Sequence, residues 1–176
     1  MKRIFFISFL LSFSYSMESV KNLDIERFMG KWYVISSIPN FAEKGCMNAY
    51  DIYTLNDDGS IDIQYYANKD GKPFRISQTG FIKDNINKSS WKIKFTRPWI
   101  PLYNAPYEVI ILDHTNYRYM VVGYPGNDYG WIMSRSENID DAIYSEILNH
   151  LEVDFNYDKK QFKKVIHDKL KEDFFN

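Results

Sequence analysis

Histidine, cysteine and paired acids carry much of the reaction chemistry of proteins, so their spacing comes first. The chain of 176 residues has three histidines, His114, His150 and His167, and one cysteine, Cys46. His114 falls in a turn; His150 and His167 fall in stretches of helical pattern among lysines and acids. None of these spacings fits a zinc site, and no nucleophile elbow or phosphate loop is present. No metal and no cofactor are therefore expected. Cys46 has no histidine near it in sequence; it can pack, react or pair with another chain. A single thiol allows no internal disulfide. What stands out is aromatic content, 18% of the residues, mostly Tyr and Phe. Such rings suit half-buried pleated surfaces and the walls around apolar ligands. The residue types point to binding rather than to bond breaking.

The elements that must position these rings are short. Runs of β pattern cover 30–38, 47–55, 60–68, 74–83, 90–96, 107–113, 117–124 and 129–135. Asp-Gly pairs and proline clusters between them are hairpin punctuation. Ile61, Ile63 and Tyr65 alternate with Asp62 and Gln64, and Trp91, Ile93 and Phe95 alternate with Lys92 and Lys94. These strands have one apolar and one wet face. Val109 to Leu112 and Met120 to Val122 are apolar on both faces. Eight such strands predict an all-β fold, an up-and-down antiparallel barrel or a sandwich.

After Arg135 the period changes. Ile139, Ile143, Ile147 and Leu151 recur every four residues, with Leu148 beside them, which predicts a helix over about 139–152 capped by Asn138. Its stripe needs an apolar partner, and the two-sided strands supply one, so the helix is expected outside the wall near the sixth to eighth strands and the first. The tail, 157–176, sets Phe162, Val165, Ile166 and Leu170 beside lysines. It reads as a loose terminus or as a basic amphipathic helix able to touch a membrane surface.

The first 16 residues have a basic start, an apolar run from Ile4 to Phe13, and small residues before a cut after Ser16. That is the layout of a secretory signal, too short to span a bilayer comfortably. The domain proper is then 17–156, exported to a periplasm or secreted. Without the signal, 20 basic residues face 23 acidic ones, a net charge of −3. No basic field remains to attract nucleic acid.

Gly30-Lys31-Trp32-Tyr33, opening the first strand, resembles the first signature of the lipocalin family. The glycine two places before the tryptophan is read as clearing room for the indole. Leu112-Asp113 with Tyr117-Arg118-Tyr119 resembles the second signature, and Trp131-Ile132-Met133-Ser134-Arg135 the third. Phe41 to Gly45, Trp99 to Tyr103 and Tyr129 to Arg135 are similar to the bacterial lipocalin and apolipoprotein D branch in particular. The resemblance implies a closed eight-stranded barrel with one helix outside. It also implies a floor in which Arg135 stacks across Trp32, a contact worth roughly 1–2 kcal/mol when desolvated. Bacterial members are typically acylated on a cysteine at the signal cleavage site, whereas no cysteine here precedes Cys46.

Alternation, with the family as analogy, predicts that Tyr50, Ile61, Ile63, Tyr65, Trp91, Ile93, Phe95, Tyr107, Val109, Met120, Val122, Trp131 and Met133 face inward. The open end is expected at 39–48, 69–73 and 97–106. The resemblance implies a carrier of fatty acids or lysophospholipids, monomeric or dimeric, serving an envelope. Two other readings stay open: an enzyme using a cavity cysteine, as in the prostaglandin-synthase-like lipocalins, and an interaction module with a filled barrel.

Overall fold

The computed structural model describes residues 17–168, so the signal segment and the last part of the tail lie outside the described residues. A four-residue helix, α1 (Ile25–Phe28), leads into eight strands: β1 (Gly30–Ile38), β2 (Cys46–Leu55), β3 (Ile61–Lys69), β4 (Lys72–Ile82), β5 (Ser90–Arg97), β6 (Ala105–Leu112), β7 (Tyr119–Gly123) and β8 (Gly130–Ser134). Each pairs antiparallel with the next, and β1 pairs with both β2 and β8. The sheet therefore closes on itself, which removes the edges a sandwich would leave. The tightest joint is the β3–β4 hairpin, where Asp70 and Gly71 both take positive φ, 52° and 74°. That is the two-residue turn that Asp-Gly favours.

Bulges decide which side chains reach which layer. In β1 the register shifts between Val34 and Ser36. Trp32 and Val34 join the interior core, while Ile35 and Ile38 join an outer layer. In β6 a shift between Val109 and Ile111 sends Val109 and Leu112 inward and Ile110 outward. A bulge inserts one unpaired residue and so resets the alternation beyond it.

The outer layer is covered by α2 (Asp141–Val153). Tyr144, Ile147 and Leu151 are buried against Ile35, Ile110, Val121 and Ile132 of the wall. Each contributes roughly 1.5–3 kcal/mol of apolar burial. The Tyr144 hydroxyl donates to Ser36 Oγ at 3.0 Å. The helix sits where the two-sided strands require it, but its start differs from expectation. Asp140, not Asn138, is the N-cap, its Oδ1 accepting from the amides of Ala142 and Ile143 at 2.8 and 3.3 Å. Its carboxylate also offsets the positive helix end, which an asparagine amide cannot do.

The described tail is neither loose nor helical. After a 3₁₀ turn (Lys159–Gln161), a short strand, β9 (Lys163–Lys164), pairs with Ser36 and Ser37 of β1. Beyond it the Val165 amide donates to Ile35 O, and the Asn48 amide donates to Ile166 O, both at 2.9 Å. The Asp168 amide donates to Asn48 Oδ1 at 2.6 Å. β1 and β2 pair only from Gly30 to Tyr33, so they diverge beyond it, and the tail occupies the gap. Unmet backbone groups of the diverging strands outweigh the helical pattern of its side chains.

Candidate functional site

Where the strands rise above the core, the barrel is hollow. The cavity holds about 650 Å³ and opens between the loop 39–45 and the bend 98–106, with Lys69 at the β3–β4 end. Those are the segments expected at the open end. Tyr65, Ile93, Phe95, Tyr107, Val122, Trp131 and Met133 line it, as their alternation places them.

The other residues expected to face inward lie elsewhere. Ile61, Ile63, Trp91, Val109 and Met120 are inside the barrel but fully buried in its lower half, packed with Phe28, Trp32 and Tyr53. The Trp91 indole meets Phe28 edge-on at 5.2 Å and stacks on Tyr107 at 4.8 Å. These rings fill the lower barrel, so the hollow occupies only the upper part. Tyr50 is on the outer face. Its ring stacks on Tyr66 at 5.2 Å and packs beside Tyr33, with the Lys31 ammonium 3.9 Å from its centre. A register shift in β2 between Met47 and Tyr50 resets the alternation, so Asp51 and Tyr53 face inward instead.

The missed lining residues include the polar ones. Glu43 and Asp51 both border the cavity. Trp131 Nε1 donates to Glu43 Oε2 at 2.9 Å, and Asn40 Oδ1 accepts from the Glu43 amide at 3.0 Å. Burial nonetheless pushes the Glu43 carboxyl up, against the pull of Trp131, Asn40 and the Lys69 ammonium. Burial, and then the Glu43 charge, raises Asp51 well above the usual carboxylate range, against a bond from the Tyr53 hydroxyl. Tyr53 and Tyr107 in turn share a hydroxyl–hydroxyl bond of 2.8 Å. An ionised carboxylate only accepts. With Asp51 ionised, Tyr53 donates to it and Tyr107 donates to Tyr53. Lys69 is the one cation among the described lining residues; its Nζ donates to Ala42 O at 2.5 Å. Cys46 does not line the cavity, and burial pushes its thiol up, away from the thiolate a nucleophile needs.

At the closed end Arg135 crosses Trp32, its guanidinium carbon 3.8 Å from the ring centre. Nη1 donates to Lys31 O at 2.8 Å, and Nη2 to Arg27 O and Phe28 O at 2.7 and 3.0 Å. Trp32 Nε1 donates to Phe28 O at 2.8 Å. Burial lowers the guanidinium to about 10, still charged at neutral pH. The three carbonyls, left over at the end of α1 and the start of β1, explain why a cation is held here.

Comparison with known proteins fits this geometry. The family model for the lipocalin-like domain matches residues 23–167. The chain is a lipocalin. It is 31% identical over 154 residues to temperature-induced lipocalin-1 of Arabidopsis thaliana, covering 85% of this chain and 82% of that protein. It is 31% identical over 134 residues to the outer membrane lipoprotein Blc of Escherichia coli K12, covering 73% and 71%. Among solved structures, insecticyanin from Manduca sexta superposes with a TM-score of 0.70 at 16% identity, covering 88% of this chain and 86% of that one. Lipocalins typically bind small hydrophobic ligands and are in general binding or transport proteins. No described helix of this lipocalin is long and apolar enough to cross a membrane.

The signature residues divide the work of the closed end. Gly30 takes φ +94°, and a Cβ there would meet Arg135 Nη1 at 3.4 Å. The glycine thus serves its own backbone and the guanidinium, rather than the indole it was expected to clear. Tyr33 lies outside the wall, between Tyr50 and His167. Asp113 holds the β6–β7 turn, accepting from Arg118 Nε at 2.7 Å and from the Asn116 amide at 3.3 Å.

Proposed function

We propose that this lipocalin is an exported carrier of single-chain lipids, of the fatty acid or lysophospholipid class, serving the upkeep of an envelope. The observation that carries the reading is the mouth-opening cavity of about 650 Å³, walled by aromatic and aliphatic side chains. That size is within the range of small-molecule sites, and small barrels of this kind hold one ligand. Ten methylenes leaving water would contribute about 8 kcal/mol gross. Ordering the chain and the loops offsets several of these, which leaves micromolar binding or somewhat tighter.

The amino-terminal signal pattern supports export, and the similarity to an outer membrane lipoprotein is consistent with it. Contact with a lipid surface is better served by the mouth than by the basic tail. Phe41, Trp99 and Leu102 stand 91%, 75% and 100% exposed on the two rim loops, whereas the described tail is bound into the wall. Exposed apolar side chains gathered at one end mark an interaction surface.

Native mass spectrometry of protein isolated from its producing cell tests the reading. The expected result is a co-purifying lipid, and a melting temperature that rises when lipid is added back. Protein that never retains a lipid and never shifts its melting point with one overturns it.

A further inference from the structure

The charges in the hollow restrict what its occupant can carry. Glu43 and Asp51 are acceptors set into an otherwise apolar and aromatic wall. They are close enough for the Glu43 charge to raise Asp51. Lys69 is the only opposing charge among the described lining residues, and its ammonium already donates to the Ala42 carbonyl. With both acids ionised, the polar side of the cavity stands one positive charge short of balance. A lipid ending in a carboxylate would add a third anion, and burying unmatched like charges is costly.

The rings beside the acids are arranged in two groups. Near Glu43, the Trp131 indole lies against Tyr129, centres 6.4 Å apart, and Tyr129 meets Tyr124 edge-on at 5.1 Å. Near Asp51 are Tyr53, Tyr107 and Tyr65. Aromatic faces next to a carboxylate are the surroundings that favour an ammonium, through the ring quadrupole and charge balance together.

We infer that the cavity takes an amphiphile whose head group bears an ammonium, held between Glu43 and Asp51 against the rings of Trp131, Tyr129 and Tyr53, with its chain among Ile93, Val122 and Met133. This rests on the carrier reading above and selects within it: a cationic or zwitterionic head is accepted and a free fatty acid anion is disfavoured. The acids then serve as head-group ligands, and the cationic head offsets the cost of ionising them inside the barrel.

Three probes of equal chain length separate the ideas: tetradecyltrimethylammonium, tetradecanol and tetradecanoate. Each is titrated below its micelle concentration at neutral pH, following Trp fluorescence and confirming by calorimetry. The full chain is expected to bind the ammonium about tenfold or more tighter than the alcohol, and the alcohol tighter than the carboxylate. In Asp51→Asn and in Glu43→Gln the gap between ammonium and carboxylate is expected to narrow about tenfold, while a single cooperative melt, no lower than the parent's, reports an intact fold. Carboxylate binding equal to or tighter than ammonium binding overturns this inference and leaves the carrier reading standing. So does an unchanged gap in both variants. If none of the three probes binds, the carrier reading falls and this inference falls with it.

Discussion

Arg135 and Trp32 form one unit: a guanidinium 3.8 Å above an indole, with its nitrogens bonded to the carbonyls of Arg27, Phe28 and Lys31. Trp32 in turn donates to Phe28 O, so both side chains hold the end of α1. Truncation removes the stacked cation and its donors to the carbonyls of Arg27, Phe28 and Lys31. Arg135→Ala is expected to lower unfolding free energy by roughly 2–4 kcal/mol in urea melts. Arg135→Lys is expected to recover less than half, since an ammonium cannot reach three carbonyls in a plane. A loss below about 0.5 kcal/mol in Arg135→Ala would show that the floor does not depend on this stack.

Gly30 precedes that unit at φ +94°, with the guanidinium at contact distance. Gly30→Ala is expected to cost about 1–2 kcal/mol, since a residue with a Cβ is strained at this φ. The same denaturation assay reads it, and an unchanged midpoint contradicts it.

The two cavity acids make stability depend on pH in a defined sense. Burial, joined for Asp51 by the Glu43 charge, raises both carboxyls in the folded state. A raised folded value means that the native state holds protons the unfolded chain has released. Their contribution is complete below the ordinary carboxylate value of about 4 and is lost as pH rises through the folded values. Asp51→Asn is therefore expected to melt higher than the parent at neutral pH, with the difference vanishing near pH 4. A variant that melts lower at neutral pH and equal at low pH reverses the sign and rejects the account.

Ala105 borders the hollow without belonging to its packed floor. Ala105→Trp is expected to fill part of the cavity and weaken any chain-bearing probe about tenfold or more, while the melting temperature of the empty protein holds. Unaltered affinity would place the ligand elsewhere.

Much of this architecture is legible in the residues. The alternation of β3, the Asp70-Gly71 turn and the four-residue apolar spacing of α2 each have one physical solution, and the structure adopts it. What the pattern hides is set by bulges and by pairing at a distance. Tyr50 reads as an inward ring, but β2, shifted in register near Met47, turns Asp51 inward in its place. Asn138 and Asp140 are both residue types that cap helices, and Asp140 takes the position, where its carboxylate also meets the positive helix end. The tail has the side chains of a basic helix, but no local signal reveals that Ile35 and Asn48 offer it a backbone partner.

That last pairing bears on how the protein is made. Ile35 and Asn48 are made long before Val165 and Ile166, which cap the space between them. During synthesis the seam beside β1 stays unzipped, with amide and carbonyl groups open to any passing extended chain. A nascent molecule halted before that point is a barrel with one slat missing. Chaperones that shield sheet edges are therefore expected to dwell on this protein until Lys163 to Ile166 have emerged.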